Sequence, residues 1–307
     1  MHRVSGRASP VILVMMACAL LATASAGGRA PATSTPRRTP WGDPDLQGYW
    51  ATGGFAFTLE KGGMYAENLR LSAGNSCVAN PTQRNIDDPG LIVDPEPGGK
   101  LPFQPWAAAK KKQTNDNYNN PKGNLAYVDP NTRCLLPGVP RFHMSTPYIG
   151  YQILQRPGAV MLLGEWNHVY RVIPVDGRPH LGQGIRLLMG DSRGRWEGET
   201  LVVDVTNFTD KTWLDIVGAF HSDALHVVER YTRTDEDTIK YEARVEDPKV
   251  YMRPWHLAFE YKRPTTADYE LYEYACHEGN KAIDNIFGSG YQERLFRFAV
   301  PAGAMTR

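Results

Sequence analysis

Polar and apolar side chains alternate most cleanly from Ile239 onward. Ile239, Tyr241, Ala243 and Val245 fall on one face, and Lys240, Glu242, Arg244 and Glu246 on the other. That is the pattern of a strand with one buried and one solvated side. Upstream, Leu225, Val227, Glu229 and Tyr231 form a second inner face, and the polar stretch 234–238 between the two reads as a hairpin turn. Pairing Arg233 with Ile239 sets Tyr231 opposite Tyr241, Glu229 opposite Ala243 and Val227 opposite Val245. A slip of one residue would turn the apolar set to solvent, so the register is strongly specified. Glu229 stands out, because burying a lone carboxylate is costly. Either it pairs with an interior arginine or it faces a ligand cavity, and the small Ala243 opposite leaves room for both.

The same period recurs around this hairpin. Residues 151–155 and 159–163 flank Arg156-Pro157-Gly158, a turn signal, and the second of these strands is expected to continue to Ile173. Further strands are predicted over 185–189, 201–208, 255–263 and 269–277, with 194–200 as a tight turn. Ala282-Ile283 and Ile286-Phe287 read as a short helix packed on the strands. Before residue 150 the character differs. Fifteen prolines lie in 27–150 against seven from 151 to the end, which predicts long coil with one helix over 105–117. The Lys110-Lys111-Lys112 run of that helix is expected to be a solvated face.

The first residues carry Arg3 and Arg7, an apolar run over 10–21 and the small-residue site Ala24-Ser25-Ala26. This three-part pattern is that of a secretory signal peptide, with cleavage before Gly27 and export to the periplasm or cell exterior. The expected organisation is therefore a signal peptide (1–26), a flexible leader (27–40), a loop-rich segment packed on the strands (41–150), and an antiparallel strand domain with a C-terminal tail (151–307). The formal net charge is +1, without the basic field that nucleic acid or anionic membrane requires. Three cysteines follow the leader, Cys77, Cys134 and Cys276. Export permits a disulfide, and Cys77–Cys134 is the expected pair, with Cys276 left as the free thiol.

If successive strands simply alternate direction, His180, His221, His256 and His277 gather at one rim with Asp223, Asp247 and Glu278. Histidine is the usual acid or base near neutral pH. No zinc-type spacing, nucleophile elbow, P-loop or dinucleotide fingerprint accompanies them, so neither metal nor organic cofactor is expected. The strand aromatics Trp166, Tyr231, Tyr241 and Trp255 suit the wall of a pocket for an oxygenated organic molecule.

The stretches 194–203 (GRWEGETLVV), 220–231 (FHSDALHVVERY), 246–251 (EDPKVY) and 276–280 (CHEGN), with Arg253-Pro254-Trp255, resemble a family of exported, uncharacterised bacterial proteins. The resemblance implies export but no activity. Gly48-x-Trp50 followed by antiparallel strands is also similar to lipocalin-like barrels. Together these readings predict a mainly β protein, an antiparallel up-and-down barrel with a proline-rich N-terminal segment wrapped over it.

The expected function is general acid–base chemistry, as in an isomerase, lyase or hydrolase, on a small, partly apolar molecule in the barrel mouth. Glu229 with His221 or His277 would form the acid–base pair. Tyr231 or Tyr241 would hold substrate oxygen, with Trp255, Trp166, Asp223 and Arg171 completing the binding set. A non-catalytic carrier of hydrophobic molecules and a structural or interaction protein are the alternatives. A carrier needs an apolar cup, an enzyme needs two titratable groups converging on a cavity, and a structural protein has a filled interior.

Overall fold

The computed structural model describes residues 37–52, 58–61, 90–118, 120–144, 150–265 and 268–288. The chain divides into units 1–35 and 36–307, and every described residue belongs to the second. The expected signal peptide lies outside the described residues.

The protein is mainly β, with one antiparallel sheet of ten strands: β1 (Gly48–Thr52), β2 (Ile92–Asp94), β3 (Gly150–Arg156), β4 (Ala159–Gly164), β5 (Tyr170–Pro174), β6 (Asp191–Glu197), β7 (Thr200–Thr206), β8 (His226–Arg233), β9 (Thr238–Glu246) and β10 (Trp255–Lys262). Hydrogen bonding orders them β5-β4-β3-β1-β10-β9-β8-β7-β6, with β2 added on β10. Two meanders, β3–β5 and β6–β10, are thus joined through β1. Its Ala51 and Thr52 pair with Lys262 and Tyr261 on one side, while Gly48 to Ala51 pair with β3 on the other. The end strands β5 and β6 meet through side chains. Arg171 Nε donates to Ser192 Oγ at 3.0 Å, and a Cβ on Gly194 would lie 2.8 Å from Ile173 and Val175. Only glycine lets β6 approach β5 so closely.

The β8–β9 register is the one the alternation predicts, Arg233↔Ile239, Tyr231↔Tyr241, Glu229↔Ala243 and Val227↔Val245. The β3–β4 hairpin turns through Pro157 and Gly158, whose φ of +79° a turn of this kind requires. Inside, Leu201, Val203, Val205, Val227, Ile239, Val245, Trp255, Leu257, Ile153, Leu162 and Ile173 are buried in one core. Trp50 of the Gly-x-Trp closes one part of it. Its indole donates to Leu46 O, and the Arg263 guanidinium sits 3.8 Å from its ring.

Several expectations are corrected. The strand begun at Ala159 does not run on to Ile173. It stops at Gly164 and reverses through the 3-10 turn Trp166–His168, where Asn167 and His168 take positive φ, before β5 returns along β4. Residues 185–189 make only a single bridge, Leu187↔Phe208, and the strand of that region is β6. Residues 269–277 are not a strand, and β10, the strand they follow, is already paired on both sides. One side of β10 is taken by β9 and the other is shared by β1 and β2.

The segment 268–288 lies instead as a strap ending in the helix Ala282–Phe287, which forms as expected but buries none of its residues. Arg37 to Pro40, at the end of the stretch expected to be flexible, are held in a turn in which Thr39 N donates to Asp43 O and Asp45 N to Arg37 O. The disulfide joins Cys134 to Cys276, 142 residues apart. This corrects both the expected pairing and the expected free thiol at Cys276, since the strap lies against the turn that carries Cys134. Such bonds persist in oxidising compartments. Cys77 lies outside the described residues. No helix among the described residues is long and apolar enough to cross a membrane.

Candidate functional site

Of the two alternatives open for Glu229, the structure has it paired to an interior arginine. Glu229 is 0% exposed, carried on the inner face of β8 by the register above. Arg171, on the inner face of β5, reaches across the interior and holds both of its oxygens. Nη1 donates to Oε1 at 3.0 Å, and Nη2 makes a close contact with Oε2. Tyr231 and Tyr241 hydroxyls donate to Oε1 at 3.0 and 2.9 Å. His143 Nε2 lies 3.0 Å from the same oxygen. Its Nδ1 is 2.5 Å from the Tyr261 hydroxyl. One proton assignment satisfies the set: a neutral His143 donating from Nε2 and accepting at Nδ1 from Tyr261.

The electrostatics agree with that assignment. Burial pushes the Glu229 carboxyl up, but the Arg171 charge and the bonds from His143 and Arg171 outweigh it, and the group is held well below the usual carboxylate range. Burial lowers the His143 pKa against the opposing pull of Glu229. Burial, reinforced by Glu229, pushes Tyr231 and Tyr241 well above 10. The result is one ion pair wrapped in neutral donors, with its bonding capacity spent internally. Such a network fixes the packing of the interior and leaves no group turned toward a ligand.

A second arrangement lies outside the sheet. The helix α1 (Pro105–Asn117), found where the sequence predicts it, carries Trp106, Lys110 and Thr114 at spacings of four, so they share one face. Together with Leu125, Val128 and Arg133 from the following coil, and Trp213, Phe220, His221 and Ser222 from the β7–β8 connection, they line a cleft of about 480 Å³. Ligand cavities span roughly 300–1,000 Å³.

Trp106 and Phe220 rings are 5.8 Å apart, and Lys110 Nζ stands 4.1 Å over the Phe220 ring. The loop holding Phe220 is fixed from below. Tyr251 OH donates to Phe220 O, and Asp247 accepts from Ser222 N and Oγ at 2.6 and 2.9 Å. His221 is buried at the cleft wall with Nε2 2.7 Å from Thr212 Oγ1 and Nδ1 2.9 Å from Ser222 O. Burial lowers its pKa, against a backbone hydrogen bond that raises it.

The structure therefore brings Glu229, Arg171, Tyr231 and Tyr241 together and places the other expected site residues elsewhere. His277 is exposed on the strap. Asp223 is an exposed partner of Lys249. Trp166 donates to Asn131, and Trp255 is buried against Tyr251. His180, His221 and His256 do lie at one end of the sheet, beside the starts of β6, β8 and β10, but each is bonded separately. His180 bonds Asp191 and Asp204, His256 bonds Asp94, and His221 lines the cleft.

The lysine run is not uniformly solvated either. Lys112 pairs in solvent with Asp116, whereas Lys111 is partly buried and donates to Asn115 Oδ1 and Val217 O. The sequence reading missed His143 and the cleft residues Trp106, Lys110, Arg133 and Phe220. The four-residue spacing on α1 was the available signal.

No protein-family model matches the chain, and no curated protein matches it. Among solved structures, a secretory abundant heat soluble protein from Ramazzottius varieornatus is similar at 8% identity and a TM-score of 0.25, over 38% of this chain and 71% of that one. A mutant of the fluorescent protein UnaG is similar at 12% identity and a TM-score of 0.23, over 38% of this chain and 73% of that one. Likeness at this level carries no argument about function.

Proposed function

We propose that this is an exported binder of small, partly apolar organic molecules, with its ligand in the outer cleft and the sheet, a lipocalin-like up-and-down barrel, as a rigid frame. One observation carries the reading. The cleft keeps large apolar side chains in solvent, Trp106 at 50% and Leu125 at 41% exposure, while the interior is occupied by core side chains and the closed Glu229 network. Apolar groups left exposed beside one another in a concavity are what a ligand covers.

The test is a filled cleft. Ala126 is exposed and lines the cavity, so Ala126→Trp should leave folding intact and weaken binding of 2-naphthol at least tenfold, followed by quenching of tryptophan fluorescence. Unchanged affinity in that variant rejects the cleft as the site.

A second reading, an acid–base isomerase, lyase or hydrolase, is favoured by His221 alone, the one candidate catalytic histidine at the cleft. Its ring is oriented at both nitrogens, as a catalytic base must be. Glu229 then acts only through the interior it organises. Turnover of a bound compound that falls roughly 10²–10⁴-fold in His221→Gln would support this reading. Binding without turnover leaves the carrier.

Export has its own check. Intact-mass analysis of the unreduced, alkylated protein should give a chain starting at Gly27 with one modified cysteine, Cys77. A chain starting at Met1, or three modified cysteines, rejects it.

A further inference from the structure

Two cations in the cleft lack a counter-charge. Asp210, the one carboxylate in its lining, is paired with Lys211 at 2.7 Å. Lys110 and Arg133 have no carboxylate partner among the described residues. Lys110 rests on the face of Phe220. Arg133 has no hydrogen-bond acceptor among the described residues, and its Nε is buried without a partner. Leaving a guanidinium without an acceptor is unfavourable. Arg141 also has a buried Nε without a partner, but its two terminal nitrogens have a carboxylate. Buried Arg141 is held by both oxygens of Asp129 at 2.8 and 2.6 Å, and Arg171 by both oxygens of Glu229. Arg133 has no such carboxylate among the described residues, and it lines a concavity with Trp106, Trp213 and Phe220.

We propose that the cleft takes a planar aromatic carboxylate, its acid group held by Arg133 and Lys110 and its ring laid against Trp106 and Phe220. This rests on the cleft being the ligand site. The planar fork of arginine matches a carboxylate at two points, and Lys110, on α1, adds a second charge to the lining. The aromatic side chains supply a flat apolar surface that favours offset or edge-on ring contact. A neutral aromatic would gain the second contribution without the first. A small inorganic anion would gain the first without the second.

The experiment compares 2-naphthoate with 2-naphthamide, matched in ring and size but not in charge, by calorimetry on the full chain. The acid should bind at least tenfold more tightly than the amide, the scale of one charge-assisted hydrogen bond, and the difference should shrink as salt is added. Lys110→Gln and Arg133→Gln should each remove most of that advantage, read as the ratio of acid to amide affinity within each variant. Lys110 is exposed on α1, so its variant tests the charge even if the Arg133 variant folds poorly. Equal affinity for the two compounds overturns the anion assignment while leaving the cleft in place. An acid preference untouched by both variants also overturns it. Failure of both compounds to bind overturns the cleft reading and this one together.

Discussion

Arg171→Met should destabilise the protein by about 3–5 kcal/mol, because it strands the Glu229 carboxylate in the interior without its counter-charge. For a domain of this size that is a fall of roughly 10 °C in the thermal midpoint. The loss is set less by the pair's own attraction than by the charge left behind. Two ions were desolvated to form the pair, and methionine restores the packing of the arginine stem but not its charge. A double variant separates these terms. Arg171→Met with Glu229→Gln should recover more than half of the loss, since the glutamine still accepts from Tyr231 and Tyr241 and carries no charge. If the double variant is no more stable than the single one, the stranded charge is not the cause.

The same substitution should reverse the slope of stability against pH. In the parent, Glu229 is held below the usual carboxylate range. Its contribution is therefore complete above the unfolded pKa and lost as pH falls through the folded one. His143, kept neutral by burial, adds a loss in the same direction once pH falls below about 6.5, its ordinary pKa. Without Arg171, burial, the largest influence on Glu229, is opposed only by the hydrogen bonds from His143 and the tyrosines, and the site should take up a proton on folding, on Glu229 or on His143. The variant should gain stability between about pH 7 and pH 5 relative to the parent. Urea midpoints measured at both pH values read the sign directly.

What the sequence made legible divides along the same physical line. The β8–β9 register could be read because a period of two with one buried face admits a single alignment, and Glu229 announced itself by interrupting an apolar face. Its partner could be named only as an interior arginine such as Arg171. His143, the third member, comes from the 3-10 turn Arg141–His143, which has no periodicity to read.

β6 escaped for the opposite reason. Its inward positions are Ser192, Gly194 and Trp196, the first two small where β5 approaches, so the apolar signal shrinks to one residue. In the strap, Tyr272, Tyr274 and Cys276 alternate like a strand but follow β10, both of whose sides are already paired. The cleft shows one wall in the spacing Trp106, Lys110, Thr114, while its other wall is assembled from loops. Phe220, His221, Ser222 and Val250, four residues of the quoted motifs, do line it.

Cys134→Ser should cost about 2–5 kcal/mol in global stability and, separately, free the strap. The chain-entropy model puts the constraint on the unfolded chain at about 5 kcal/mol for a separation of 142 residues, an upper value because real unfolded chains are already compact. The folded state anchors the start of the strap through Tyr269, whose ring packs edge-on against Tyr49 at 5.7 Å, and holds the rest by a few polar contacts. Asn280 donates to Thr132 O at 3.0 Å, Tyr274 N to His168 Nε2 at 3.0 Å, and its helix buries nothing. Local release should therefore come well before global unfolding. The turn bearing Cys134 is fixed independently by Asp129–Arg141 and by Trp166 donating to Asn131, so the sheet and the cleft wall should persist. Limited proteolysis of the variant under native conditions should cut within 268–288 and leave a folded core that still binds the cleft ligand. Should the strap resist cleavage as it does in the parent, its non-covalent contacts suffice, and the bridge acts only on the unfolded chain.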